Sequence, residues 1–94
     1  MAKRQGAVEA LGMNPAFWHG KRVFLTAGCV SCHTLSDAGA VGVVGPNLDA
    51  AKPSRALVIN RVTNGQGAMP SFENKLSKQQ VQAVADYVSS VAGA

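Results

Sequence analysis

The chain has 94 residues, enough for one domain and not for two. Hydrophobic residues make up 47% and charged residues 15%, which excludes a disordered chain. Nine Lys and Arg against five Asp and Glu leave a formal charge of +4, but the cations stand in singles and pairs, without the dense basic stripe of a nucleic-acid binder.

In chain order, residues 1–13 show little periodicity and read as a lead-in or linker, with residues 14–94 as a single domain. A signal peptide needs an apolar run where Gln5, Gly6 and Glu9 stand, so the expectation is a leader already removed or a chain cut from something larger. Asn14-Pro15 opens a helix, since Asn caps and Pro tolerates the first helical position. That helix runs from Pro15 to about Ala27, with Gly28 to end it. Trp18 is expected in the core and His19 in solvent. Between Gly28 and Lys52, the residues Gly39, Gly42, Gly45 and Pro46 break any regular element, and so long a loop in a small domain wraps or binds something.

A second helix fits Pro53 to Asn64, with Val58 and Val62 on one face and Asn64-Gly65 as its stop. Gly65 to Leu76 is again loop, with Gly67 and Pro70 flanking Met69. The third helix has the clearest start: Ser77 and Gln80 make a capping box, and Leu76 staples onto Val81. Val81, Val84, Ala85, Val88 and Val91 then form one apolar stripe. No segment alternates as a strand does, so the predicted class is all-α with three main helices. No apolar run is long enough to span a bilayer.

Three Phe, one Trp and one Tyr are a small aromatic payload. With about 1.5 kcal/mol of ordering entropy per residue, such a core comes out near zero net stability, which hints at a non-protein filler. Both cysteines lie in Cys29-Val30-Ser31-Cys32-His33, and the spacing C-x-x-C-H reads as a c-type haem attachment site. Two thiols on one turn can each add across a porphyrin vinyl group, and the next imidazole then sits under the iron. A zinc site would have to use His33 together with the adjacent Cys32, which scarcely reach one tetrahedral ion. A thioredoxin-like pair needs a preceding strand, and a disulfide leaves His33 unexplained. An electron-transfer haem takes a second axial ligand, and Met69 in its Gly- and Pro-bounded loop is the candidate, against core packing as the plain role of a lone Met.

With these motifs the chain resembles the class I c-type cytochromes, most closely the small bacterial, cytochrome c6-like branch. Gly20-Lys21-Arg22-Val23-Phe24, Gly45-Pro46-Asn47-Leu48, the stretch Asn64-Gly65-Gln66-Gly67-Ala68-Met69-Pro70-Ser71-Phe72 and Val84-Ala85-Asp86-Tyr87-Val88 carry the likeness. One departure is that Gly20 and Phe24 stand one residue further than usual from the first cysteine, which implies a longer turn at Ala27-Gly28. The resemblance implies three main helices and long loops around one haem c, joined through Cys29 and Cys32 and ligated by His33 and Met69. It implies a hydrogen bond from His33 Nδ1–H to the Pro46 carbonyl, and close approach of Gly20 to the last helix near Tyr87. Asn64 then either orients the Met69 sulfur or caps the second helix, and Arg61 either pairs with a haem propionate or is an exposed helix residue.

The implied function is one-electron transfer, not enzymatic turnover, by outer-sphere exchange through a haem edge near Val30, Gly67 and Ala68. Redox proteins with acidic docking surfaces are the expected partners of a monomer outside the cytoplasm, in the periplasm or a thylakoid lumen. Two rival readings are an electron-relay domain of a larger oxidoreductase or membrane complex, and a haem-based sensor in which Met69 gives way to a small ligand.

Overall fold

The computed structural model describes residues 15–93, so the lead-in and the Asn14 cap lie outside the described residues. Helix α1 (Pro15–Thr26), the one-turn α2 (Leu48–Ala51), α3 (Arg55–Asn64) and α4 (Lys78–Val91) supply the frame. Helix α4 begins as the sequence dictates. Ser77 Oγ accepts from the Gln80 N–H at 3.0 Å, and Gln80 Oε1 accepts from the Ser77 N–H at 2.8 Å. Its stripe of Val81, Val84, Ala85, Val88 and Val91 is buried, together with Tyr87.

Helix α1 packs across that stripe because Gly20 lets it approach. A Cβ on Gly20 would stand 2.6 Å from the Tyr87 Cβ and closer still to the Ala83 carbonyl oxygen. Phe24 is buried beside Tyr87, and the Phe17 ring meets the Tyr87 ring edge-on at 5.2 Å. The Tyr87 hydroxyl donates to Asp37 Oδ2 at 2.5 Å, and that oxygen lies 3.5 Å from Lys21 Nζ. Burial, then the Asp37 carboxylate, pushes the Tyr87 phenol up from its ordinary value. Helix α3 adds buried Val58 and Val62 and an Arg55–Asp86 ion pair to α4.

Three expectations are corrected. Trp18 is 47% exposed, because the buried stripe of α1 runs through Gly20, Val23 and Phe24 and Trp18 faces away from it. Helix α3 starts at Arg55, after Pro53, because Ser54 Oγ takes the Leu57 N–H at 3.1 Å and so caps it. The segment 28–52 is not uniformly irregular. It holds 3-10 turns at Cys29–Ser31 and Ser36–Ala38, helix α2, and an antiparallel pair of β1 (Thr34–Leu35) and β2 (Ala40–Val41). Strands of two residues are too short to show alternation, so the mostly helical class stands. His19 is exposed, as expected.

Asp49 on α2 ties this segment together. Its carboxylate accepts from the Ser36 N–H at 2.8 Å and from the Gly93 N–H at 2.9 Å, joining the hairpin to the end of α4. No helix among the described residues is long and apolar enough to cross a membrane.

Two tests follow from this packing. Gly20→Ala should lower the unfolding free energy of the holoprotein by about 1–3 kcal/mol, the usual cost of an overpacked contact. Denaturant unfolding measures it, and an unchanged midpoint would contradict the close helix crossing. The N–H bonds to Asp49, Gly93 first and Ser36 next, hold its carboxyl below the usual carboxylate range. Its folded value being depressed, its stabilisation is present above about pH 4, the ordinary carboxylate value, and is lost as pH falls through the folded value. Asp49→Asn should therefore unfold at lower denaturant than the native protein at pH 7, with the difference closing in acid.

Candidate haem site

A cavity of about 320 Å³ opens into the core between the helices and the two long loops. Phe24, Val58, Val62, Val84 and Val88 line it from the core side. Cys29, Cys32 and His33 line it from one loop, and Ala68, Met69 and Pro70 from the other. The size falls within the range of small-molecule sites, and the walls are mostly aliphatic.

The attachment turn is set by Gly28, whose φ of +93° is left-handed and costs a glycine little. The 3-10 turn that follows brings the Cys32 and His33 N–H groups onto the Cys29 carbonyl, at 3.2 and 3.1 Å. Both thiols therefore stand on one turn, unpaired with each other and half-buried. Burial, the largest influence, pushes the Cys29 thiol up to about 11.

His33 is aimed by the returning loop. Its Nδ1–H donates to the Pro46 carbonyl at 2.8 Å, which fixes the tautomer and leaves Nε2 with a free lone pair. Two glycines, expected from the sequence to break regular structure and, for Gly45, to carry the family likeness, make this possible. A Cβ on Gly45 would stand 2.6 Å from His33 Cε1, and one on Gly42 would stand 2.7 Å from the Cys32 backbone. The Gly45 N–H also donates to the Cys32 carbonyl at 2.6 Å, and the Gly42 N–H to the His33 carbonyl at 3.2 Å. A glycine next to the proline that takes the imidazole was the signal available for finding them.

Met69 is presented by a turn with its own closure. The Gln66 N–H donates to the Met69 carbonyl at 3.0 Å, and the Met69 N–H to the Gln66 carbonyl at 2.9 Å. Gly67 at φ +58° makes the bend. The loop is pinned back to α3 by Phe72 N–H on the Val62 carbonyl at 2.8 Å and Ser71 Oγ on the Thr63 carbonyl at 2.5 Å. Met69 is half-buried and packs against the core. The structure thus brings Cys29, Cys32, His33, Pro46 and Met69 to one cavity. Asn64 is exposed at the last position of α3 and does not line the cavity. Arg61, half-buried, does line it.

Cavity size, apolar walls and paired thiols on one turn fit a porphyrin, and the relatives agree. Residues 15–88 match the family described as cytochrome c oxidase, cbb3-type, subunit III. The chain is 37% identical over 73 residues to cytochrome c6 of Leptolyngbya boryana, covering 73% of this chain and 85% of that protein. It is 35% identical over 78 residues to cytochrome c6 of Synechocystis sp., where it covers 74% of this chain and spans only 61% of the relative. The crystal structure of the c-type cytochrome SorU from Sinorhizobium meliloti superposes with a TM-score of 0.79 at 49% identity, over 83% of this chain and 92% of that one.

Fold and site together are those of a covalent haem protein. The chain belongs to the small class I c-type cytochromes, and one haem c is attached through Cys29 and Cys32, with His33 directly after them.

The Gly45 contact carries a prediction. Gly45→Ala forces the His33 ring off its Pro46 bond and should destabilise the holoprotein by about 1–3 kcal/mol, by overpacking. It should also broaden or shift the His33 ring resonances. Unchanged stability and unchanged ring resonances would contradict the packing of Gly45 on the imidazole.

Proposed function

We propose that this protein carries single electrons between redox partners, with His33 and Met69 holding the haem iron from its two sides. The observation that supports the reading best is the arrangement of the cavity, with an imidazole aimed by Pro46 on one loop and a thioether presented on the other. Bound haem supplies a metal centre that gains and loses one electron. The chain's task is to keep its ligands still while that happens. Pro46 holds the His33 ring, and the doubly bonded Gln66–Met69 turn holds the thioether, so little reorganisation accompanies transfer. A thioether opposite an imidazole also raises the reduction potential. Asn64 in this reading closes α3 and leaves the Met69 sulfur alone.

With His33 and Met69 both holding the group, no substrate would reach the metal, and on this reading the protein is an electron carrier and not an enzyme. Contact with partners is made around Val30, Gly67 and Ala68, beside exposed Val44 at 71% and Leu57 at 42% on the cavity's rim. Lys52, Lys75 and Lys78 are exposed cations that favour partners with acidic docking surfaces. We read residues 14–94 as one monomeric domain after a lead-in at 1–13, working outside the cytoplasm, in the periplasm or a thylakoid lumen. The match to a family described as an oxidase subunit favours a second reading, an electron-relay domain within a larger complex. The mass of the native gene product separates the two.

Substituting Met69→Ala should abolish the ferric thioether-to-iron charge-transfer band, lower the potential, and let the ferrous protein bind carbon monoxide at neutral pH. Survival of the band would overturn the ligand assignment, and carbon monoxide binding by the unaltered protein would favour a sensor. Electron exchange with an acidic redox protein should slow as salt is raised from roughly 0.01 to 0.15 M, where the screening length falls to about 8 Å. A rate indifferent to salt would contradict acidic docking.

A further inference from the structure

Helix α1 turns a second face to solvent, on the side away from the haem cavity. Trp18, Lys21, Arg22 and Leu25 recur at helical spacing and form one outward stripe, opposite buried Val23 and Phe24. We propose that this stripe is a docking site for an acidic segment of a partner protein, one bearing carboxylates beside an apolar side chain. The inference goes beyond the electron-carrier reading and stands or falls apart from it.

Composition and rigidity carry the argument. Trp18 is 47% exposed and Leu25 43%, and they stand with Arg22 and Thr26 on one face of α1. Trp and Arg are the side chains that dominate binding energy at protein interfaces. The Trp18 ring has contacts on its own helix, the Phe17 ring edge-on at 5.9 Å and Lys21 Nζ 5.0 Å from its centroid. An anchor fixed in advance loses little entropy when a partner arrives. Lys21 is in turn engaged by Asp37 at 3.5 Å, and the Thr26 hydroxyl donates to the Arg22 carbonyl at 2.8 Å.

That leaves the Arg22 guanidinium, which is exposed and has no ion-pair partner among the described residues. A guanidinium between a Trp and a Leu presents a fork for a carboxylate flanked by apolar contacts. A second copy of the chain fits poorly, because it would set the same cations against each other. A bilayer fits poorly too, because two apolar side chains are far short of what stable membrane anchoring requires.

The test uses the ferrous holoprotein, full chain, labelled with nitrogen-15. The probe is a short synthetic peptide of alternating Glu and Leu, with a Gln-and-Leu peptide as its control. Saturable shifts should appear at the amides of Trp18, Arg22 and Leu25 and at the indole N–H. Arg22→Glu should weaken Glu-peptide binding about tenfold, Leu25→Ser about threefold, and the Gln peptide should bind about tenfold more weakly. An unchanged visible spectrum in both variants shows that the haem site is intact. Shifts confined to the cavity rim at Val44 and Leu57, no saturable shifts, or equal affinity of Arg22→Glu and native protein would overturn the proposal. So would Trp18-dependent sedimentation with phosphatidylglycerol vesicles when the Glu peptide leaves α1 unshifted, and so would concentration-dependent dimerisation through α1 without peptide. A lost α1 site with the Met69 band intact leaves the electron-carrier reading in place.

Discussion

The chain cannot close its own core. Phe24, Val58, Val62, Val84 and Val88 pack against one another on one side, and on the other side the same residues face a cavity of about 320 Å³. Water in such a space would find mostly hydrocarbon walls, which is costly to wet. A flat, apolar group joined to the protein by two thioethers fills it permanently. Because the group stays on the chain when it unfolds, its burial in the cavity stabilises the native state as the burial of a large apolar side chain does. The shortage of large side chains in the sequence is the same fact seen from the other end.

Everything else in the fold positions what borders that cavity. The closely crossed pair α1 and α4 is the rigid wall, made by Gly20 on one helix and the Tyr87 region on the other. The Tyr87–Asp37 bond fastens the hairpin to this wall, and Asp49 fastens the hairpin to the chain's end. From the hairpin, Gly42, Gly45 and Pro46 return over the attachment turn and settle the imidazole. From α3, the Gly65–Phe72 stretch settles the thioether by backbone bonds and the Ser71 hydroxyl on the Thr63 carbonyl. In our reading His33 and Met69 are thus each set by a segment that glycine and proline shape.

Much of this was legible in the residues. Cys29-Val30-Ser31-Cys32-His33 specifies chemistry by spacing, because two thiols and an imidazole must fit one turn. The start and the apolar stripe of the third helix were legible, since a capping box and a valine stripe depend on local rules. What stayed hidden depends on distance. Trp18 has the composition of a core residue, but only the direction of the Gly20 crossing decides which face of α1 is buried. Pro53 has the form of a helix start, but the Leu57 N–H bond to the Ser54 hydroxyl sets the first turn from Arg55. The paired strands were invisible, being held by Tyr87, Asp49 and the haem-binding turn and not by their own pattern. Local pattern shows Gly42 and Gly45 as breakers of regular structure, and only the folded chain sets Gly45 on the His33 imidazole and Gly42 on the Cys32 backbone.

The central claim is that a thioether and an imidazole face each other across the ring plane within one apolar cavity. A methyl group held over the centre of a porphyrin lies in its ring current and resonates far upfield of any ordinary methyl. Proton NMR of the ferrous protein therefore tests the claim directly. The account predicts one sharp upfield methyl signal whose through-space contacts are to the Met69 side chain. A spectrum with no upfield methyl, or one whose contacts lead to another residue, would contradict it.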